Sequence, residues 1–73
     1  PDNQGQGAGA AITHQLEQDL RTRGVRLLVV DTSGTDAFAL TRAFYSKNGY
    51  TEEARIRDFW SEGDDKVVFR KAL

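Results

Sequence analysis

Between Ala8 and Arg23 the apolar residues Ala8, Ile12, Leu16 and Leu20 recur at every fourth position with polar residues between them, which is the period of an amphipathic helix. Gly24 follows as a natural stop. The run Val25-Arg26-Leu27-Leu28-Val29-Val30-Asp31 is β-branched and almost continuously apolar, a pattern that predicts a strand covered on both faces. Thr32–Asp36 is built from Thr, Ser, Gly and Asp and predicts a loop in which Asp36 caps the next helix. That helix is predicted over Ala37–Lys47, burying Ala37, Leu40, Thr41 and Phe44, with Asn48-Gly49 tolerating the left-handed conformation at its end. Tyr50–Trp60 and Lys66–Leu73 read as strands, and the linking Ser61–Asp65 segment contains a glycine and has a length suited to an antiparallel hairpin. The predicted order is α-β-α-β-β.

Ahead of the first helix stands Gln4-Gly5-Gln6-Gly7-Ala8-Gly9-Ala10. Small residues let backbone N–H groups approach a phosphate closely, and a helix N-terminus adds about half a positive charge. This segment therefore reads as a phosphate loop, with a pyrophosphate as the natural ligand. It lacks the Gly-Lys-Ser/Thr ending with which a Walker A loop reaches terminal phosphates and magnesium. Gly5-x-Gly7-x-x-Ala10 does fit the small-residue spacing of a dinucleotide fingerprint, and Asp31 ends the next strand where a ribose-binding acid belongs. Against the dinucleotide reading, a helix and a hairpin follow Asp31 instead of further βαβ units.

Composition narrows the range. The 73 residues are enough for one small domain, with 38% hydrophobic content and a net charge of −1, values of a globular chain and not of a basic nucleic-acid binder. There is no cysteine, and the single His14 lacks the companions a structural zinc needs. A core this small leaves only about 3–5 kcal/mol of net stability without a staple. The longest apolar run, Leu27–Val30, is far short of the roughly 20 residues that span a bilayer. No membrane partner is expected, and a cytoplasmic location is the default.

Two blocks together carry a family resemblance. Gln4-Gly5-Gln6-Gly7-Ala8-Gly9 satisfies the Arg/Gln-x-x-Gly-x-Gly/Ala cofactor loop of the GNAT superfamily. Phe44-Tyr45-Ser46-Lys47-Asn48-Gly49-Tyr50 resembles its aromatic-Tyr-x-Lys-x-Gly-aromatic signature. They are separated by a helix and an apolar strand, as in the family, and Asp58–Lys71 resembles the terminal hairpin of many small-molecule members. The resemblance covers nearly the whole chain. It implies that residues 1–73 form the C-terminal, cofactor-binding half of one N-acetyltransferase domain: an α/β partial domain with a mixed sheet, lacking the family's N-terminal strands.

The same resemblance implies the chemistry. The expected reaction moves an acetyl group from acetyl-CoA to a primary amine of a small molecule or peptide, without a metal. Backbone amides of Gln4, Gly5, Gln6, Gly7, Ala8, Gly9 and Ala10 would cradle the coenzyme A pyrophosphate. Tyr45 would donate a proton to the leaving thiolate, since a phenol is protonated at neutral pH; its other reading is a packing position. The chain departs from the family in having no asparagine before that tyrosine, where Thr32 or Ser33 would substitute or simply form the turn. Arg42 and Lys47 read either as phosphate contacts or as solvated helix charges. Asp58, Glu62, Asp64 and Asp65 read as turn and strand-end residues, and Trp60 as a pocket wall, a subunit contact or a core anchor. The general base is expected in the missing half, so the chain alone is expected not to turn over substrate. A second class of reading is a noncatalytic assembly element that pairs its orphan strand edge with another chain, as a homodimer or with the missing half.

Overall fold

A computed structural model describes the backbone from Asp2 and the side chains from Gly9 to Leu73. In order, the elements are α1 (Asp2–Thr22), β1 (Leu27–Ser33), a 3-10 turn (Asp36–Phe38), α2 (Ala39–Lys47), β2 (Thr51–Ser61) and β3 (Asp64–Ala72). This is the predicted α-β-α-β-β order. Contacts divide the chain into two compact units, one of Pro1–Leu28 with Ala72–Leu73 and the other of Val29–Lys71.

In the first unit α1 begins at Asp2, so the stretch expected as a loop up to Ala10 is helical backbone instead. Its glutamines and alanines are good helix formers, and they outweigh glycines that each cost about 1 kcal/mol relative to alanine. The exposed and sheltered faces also differ from the predicted stripe. Ile12 is 71% exposed and Leu16 is also exposed, whereas Ala10, Thr13 and Leu20 are half-buried and Glu17 is buried. The sheltered face thus follows 10-13-17-20, one residue round from the every-fourth-residue stripe.

Both helices end in the same motif. At the end of α1, Val25 N–H donates to Leu20 C=O at 2.9 Å and Gly24 N–H to Arg21 C=O at 3.0 Å, with Gly24 at φ +86. At the end of α2, Tyr50 N–H donates to Tyr45 C=O at 2.9 Å and Gly49 N–H to Ser46 C=O at 3.4 Å, with Gly49 at φ +91. These are Schellman caps, which need a left-handed residue one place beyond the cap, and glycine adopts that conformation without a Cβ penalty.

The sheet has the order β1-β3-β2. β2 and β3 pair antiparallel, from Thr51 opposite Arg70 to Ser61 opposite Asp64. β3 also runs antiparallel to β1. Gly34 N–H donates to Asp65 C=O, the Thr32 hydroxyl to Val67 C=O, and Leu73 N–H to Arg26 C=O, so residue numbers rise on one strand as they fall on the other. The hairpin therefore inserts its second strand beside β1. The described strands all pair antiparallel; the parallel pair of the expected mixed sheet would join β1 to a strand outside residues 1–73. The turn is tighter than predicted, Glu62 and Gly63 alone standing between the strands.

The second unit packs α2 on the face of β3 that carries Val67 and Phe69. Among the described residues, Tyr50, Val67 and Phe69 are the buried hydrophobic side chains, at 4%, 0% and 1% exposure. Leu40, expected in the core, is 82% exposed, and Ala37 and Thr41 are exposed as well. The reason lies in the cap. Tying Tyr50 back to Tyr45 turns the Phe44–Tyr45 side of α2 towards β3, which carries Leu40 away. β1 is covered unevenly: Leu28, Val30 and Thr32 are sheltered on one face, while on the other Leu27 and Ser33 are sheltered but Val29 is 52% exposed and Asp31 is exposed.

Candidate active site

Tyr45 lies in the last turns of α2, inside an aromatic cluster. Ring centroids lie 5.5 Å away at Phe44, 5.1 Å at Tyr50 and 5.8 Å at Phe69, the first two edge-on. Edge-on pairs at this separation are the favoured arrangement of aromatic quadrupoles. The aromatic-Tyr-x-Lys-x-Gly-aromatic signature thus has a local physical meaning. Tyr45 and Tyr50 are the two positions that a Schellman cap brings together in apolar contact, and their backbones share the 2.9 Å bond already described. Lys71 completes the end of α2, donating to Asn48 C=O at 2.9 Å with its ammonium 5.3 Å from the Tyr50 ring centroid. A cation there offsets the negative end of the helix dipole.

The Tyr45 side chain is half-buried, and among the described residues its phenol oxygen makes no hydrogen bond. Its ring is fixed, and a phenol so held can donate its proton to a group placed beside it.

The loop between β1 and α2 is held by other groups. Arg42 donates from one guanidinium nitrogen to Ser33 C=O and Thr35 C=O, each at 2.8 Å, so this cation clamps the loop instead of standing free for a phosphate. The Thr32 hydroxyl is spent on Val67 C=O at 2.9 Å. The Ser33 hydroxyl donates to Asp64 Oδ1 at 2.6 Å, and because it has one proton it must accept from the Thr35 hydroxyl at 2.9 Å. Neither Thr32 nor Ser33 is left to replace the family's asparagine. Asp36 makes no cap bond; Thr35 stands at the N-cap of the 3-10 turn, again without a side-chain cap. Lys47 is exposed.

Beside this loop is a surface cavity of about 280 Å³ lined by Asp31, Thr32, Ser33, Phe38, Trp60 and Asp64. Trp60 donates from its indole N–H to Thr32 C=O at 3.2 Å. Asp31 pairs with Lys66 at 3.4 Å, and the Lys66 ammonium lies 4.5 Å from the Phe59 centroid and 6.0 Å from that of Trp60. The sequence left Trp60 as a pocket wall, a subunit contact or a core anchor, and missed Asp31, Phe38 and Asp64 as its companions here. They come from separate segments, and only the β1-β3-β2 order brings them together.

Asp58 and Asp65 serve the turn, as expected. Asp58, a non-glycine residue at φ +56, accepts from Gly63 N–H at 2.8 Å and donates its own N–H to Asp65 Oδ1 at 3.1 Å. That backbone donor and then the Arg55 guanidinium, 2.8 Å away, hold the Asp65 carboxyl below the ordinary aspartate range. Among the described residues no group of three or more His, Cys, Asp or Glu side chains is arranged to hold a metal, and no helix is long and apolar enough to cross a membrane. The expected contacts of Gln4, Gly5, Gln6, Gly7 and Ala8 fall outside the described side chains.

Solved structures share this architecture. A protein from Desulfovibrio desulfuricans assigned to the acetyltransferases of the GNAT family is 39% identical, with a TM-score of 0.92 over 99% of this chain and 45% of its own. The aminoglycoside 6'-N-acetyltransferase of Enterococcus faecium shares the fold at 17% identity, with a TM-score of 0.78 over 92% of this chain and 51% of its own. No family model and no curated protein matches the sequence. The chain spans about half the length of each structure it resembles. A capped helix under an aromatic cluster, followed by a hairpin that inserts beside the preceding strand, is the α/β partial fold shared with these structures. The chain belongs to the GNAT superfamily.

Proposed function

We propose that the chain is the cofactor-binding, C-terminal half of an N-acetyltransferase that moves an acetyl group from acetyl-CoA to a primary amine of a small molecule or peptide, and that it works in the cytoplasm. The observation that carries this reading is Tyr45, a ring locked by a helix cap and three aromatic neighbours with its hydroxyl free. Acetyl-CoA supplies an acyl group already activated as a thioester. Tyr45 holds a proton at its phenol oxygen for the departing sulfur, which then leaves as a neutral thiol instead of a thiolate. The amine attacks the acyl carbon directly, so no nucleophile is required of the protein. The group that takes the amine's proton lies outside residues 1–73, and the isolated chain does not turn over.

The pyrophosphate falls to the backbone amides of Gln4 through Ala10. Beyond the first turn of α1 those amides are directed into the helical ladder, so receiving an anion there requires the segment to open. Gly5, Gly7 and Gly9 lower the cost, each being about 1 kcal/mol poorer than alanine in a helix. Calorimetric titration of coenzyme A into the full-length protein carrying this chain tests the assignment. Gly7→Leu should weaken binding at least about tenfold, because a side chain blocks the close backbone approach; unchanged affinity removes the loop from the site.

A second reading, a noncatalytic assembly element that pairs as a homodimer or with the other half of its domain, is favoured by one observation: β1 stands at a sheet edge with Val29 half exposed. Light scattering separates the two, since assembly without coenzyme A binding supports only the second. For the dinucleotide alternative Asp31 would have to give up Lys66, its partner at 3.4 Å.

A further inference from the structure

Asn48-Gly49, at the end of α2, is the one place in the sequence where an asparagine or an aspartate precedes glycine. The cap explains the glycine, but the pair has a reactivity of its own. The Gly49 backbone nitrogen lies within a five-membered ring's reach of the Asn48 side-chain carbon Cγ, and glycine has no Cβ to hinder the approach. We propose that Asn48 is a deamidation site held shut by the Schellman cap, and that its conversion loosens the cap that fixes Tyr45. The site stands whether or not the protein transfers acyl groups.

The chemistry needs only water as co-reactant. The Gly49 nitrogen gives up its proton to hydroxide and bonds to Cγ, the bond from Cγ to Nδ2 breaks, and that nitrogen takes a proton from water and departs as ammonia. Water then opens the cyclic imide. Attack at the side-chain carbonyl leaves aspartate, and attack at the backbone carbonyl leaves isoaspartate, with the main chain routed through the former side chain. Gly49 is exposed, so water reaches the ring.

In the closed cap the first bond cannot form. Asn48 sits at φ −98, ψ 21, which turns the Gly49 nitrogen away from Cβ, whereas the ring needs the two nearly eclipsed. Nδ2 is also anchored, donating to Phe44 C=O at 2.8 Å. Closing the ring means rotating the Asn48–Gly49 peptide plane, and with it the cap donors Gly49 N–H and Tyr50 N–H, which stand 3.4 and 2.9 Å from their acceptors. Lys71 holds the same plane through Asn48 C=O at 2.9 Å. The reaction therefore passes through local opening of the last turn of α2.

Neither product fits the cap. Aspartate has no donor for Phe44 C=O and is ionised at neutral pH, the unfavourable sign of charge at a helix C-terminus. The Lys71 ammonium offsets part of that charge but restores no donor. Isoaspartate lengthens the main chain between Asn48 and Gly49 and so puts Tyr50 N–H out of step with Tyr45 C=O. Either change loosens the pairing of the Tyr45 and Tyr50 rings, now 5.1 Å apart.

Incubating the full-length protein at mildly alkaline pH, with and without guanidinium chloride, tests the site through mass spectrometry of its tryptic peptide Asn48–Arg55. Aspartate and isoaspartate should accumulate there at least about tenfold more slowly in the native protein than in denaturant, equivalent to about 1.4 kcal/mol for opening the cap. Lys71→Gln should raise the native rate about two- to fivefold, as for loss of a cation at a helix C-terminus, and leave the denatured rate unchanged. Asn48→Asp, made directly, should lower the thermal midpoint by at least about 2 °C. If Lys71→Gln proves unfolded, the ratio of native to denatured rates and the Asn48→Asp midpoint decide. No conversion in denaturant, equal rates in the two conditions, a folded Lys71→Gln no faster than the parent, or an unshifted Asn48→Asp midpoint overturns the proposal.

Discussion

Replacing Tyr45 by phenylalanine removes one oxygen and nothing else. The ring keeps its neighbours at 5.1, 5.5 and 5.8 Å, and the backbone bond from Tyr50 is untouched. The lost hydroxyl has no hydrogen-bond partner among the described residues, so folding stability should stay within about 0.5 kcal/mol of the parent, as for substitutions that break no specific contact. Turnover should behave differently. A general acid contributes about 10²–10⁴-fold, equivalent to roughly 2.7–5.4 kcal/mol of barrier. In the full-length protein, kcat for acetylation of an amine, followed by release of free thiol, should fall by that factor while the Kd for coenzyme A and the thermal midpoint hold steady. The split distinguishes an acid from a packing residue, because a packing residue would move the midpoint and leave kcat alone. Full turnover by Tyr45→Phe would remove the phenol from the mechanism.

Three further outcomes test the fold beneath the site. Phe69→Ala empties the middle of the small core, at a cost of about 3–5 kcal/mol; this is as much as a domain of this size has to spare, so urea titration of the chain should find it largely unfolded. Gly49→Ala puts a Cβ at φ +91 and 3.4 Å from the Lys71 side chain, costing about 1–2 kcal/mol and lowering the thermal midpoint by about 4–8 °C per kcal/mol, with Gly49→Asn losing less. For Asp65 the folded carboxyl is held below its unfolded value; its contribution is therefore present above about pH 4 and is lost as pH falls through the lower folded value. An acid titration followed by Trp60 fluorescence should show that loss in the parent, and Asp65→Asn should flatten it.

Elements governed by local chemistry were legible in the sequence. Asn48-Gly49 and Gly24 mark both helix ends because the Schellman cap depends only on a left-handed residue at one position. The hairpin was visible for a similar reason, its glycine marking the turn between two segments that read as strands. Faces were harder. The stripe Ala37, Leu40, Thr41, Phe44 and the stripe Ile12, Leu16 both have helical spacing, but spacing fixes only the angle between residues and not which side meets a neighbour. At α2 the aromatic contacts of Phe44 and Tyr45 decided that, and they were written as a motif and not as a periodicity. The cavity was the least legible feature, since its residues meet only through strand order. Tyr45 could be singled out from the sequence because the helix cap and the signature occupy the same seven positions.

The two edges of the sheet are unlike. Along β2 every residue is exposed, Glu52, Glu53, Arg55, Arg57 and Asp58 stud its length, and its pairing is interrupted between Glu52 and Ala54 and again between Ile56 and Ser61. Charge and irregular register make an edge a poor template for another strand. β1 carries the apolar run Leu27-Leu28-Val29-Val30 ahead of its one charge, Asp31. β1 is consequently the edge better suited to receive a further strand, whether from its own chain or from another, and a lysine placed at Val29 would make it less so while leaving Tyr45 and the cavity lining unchanged.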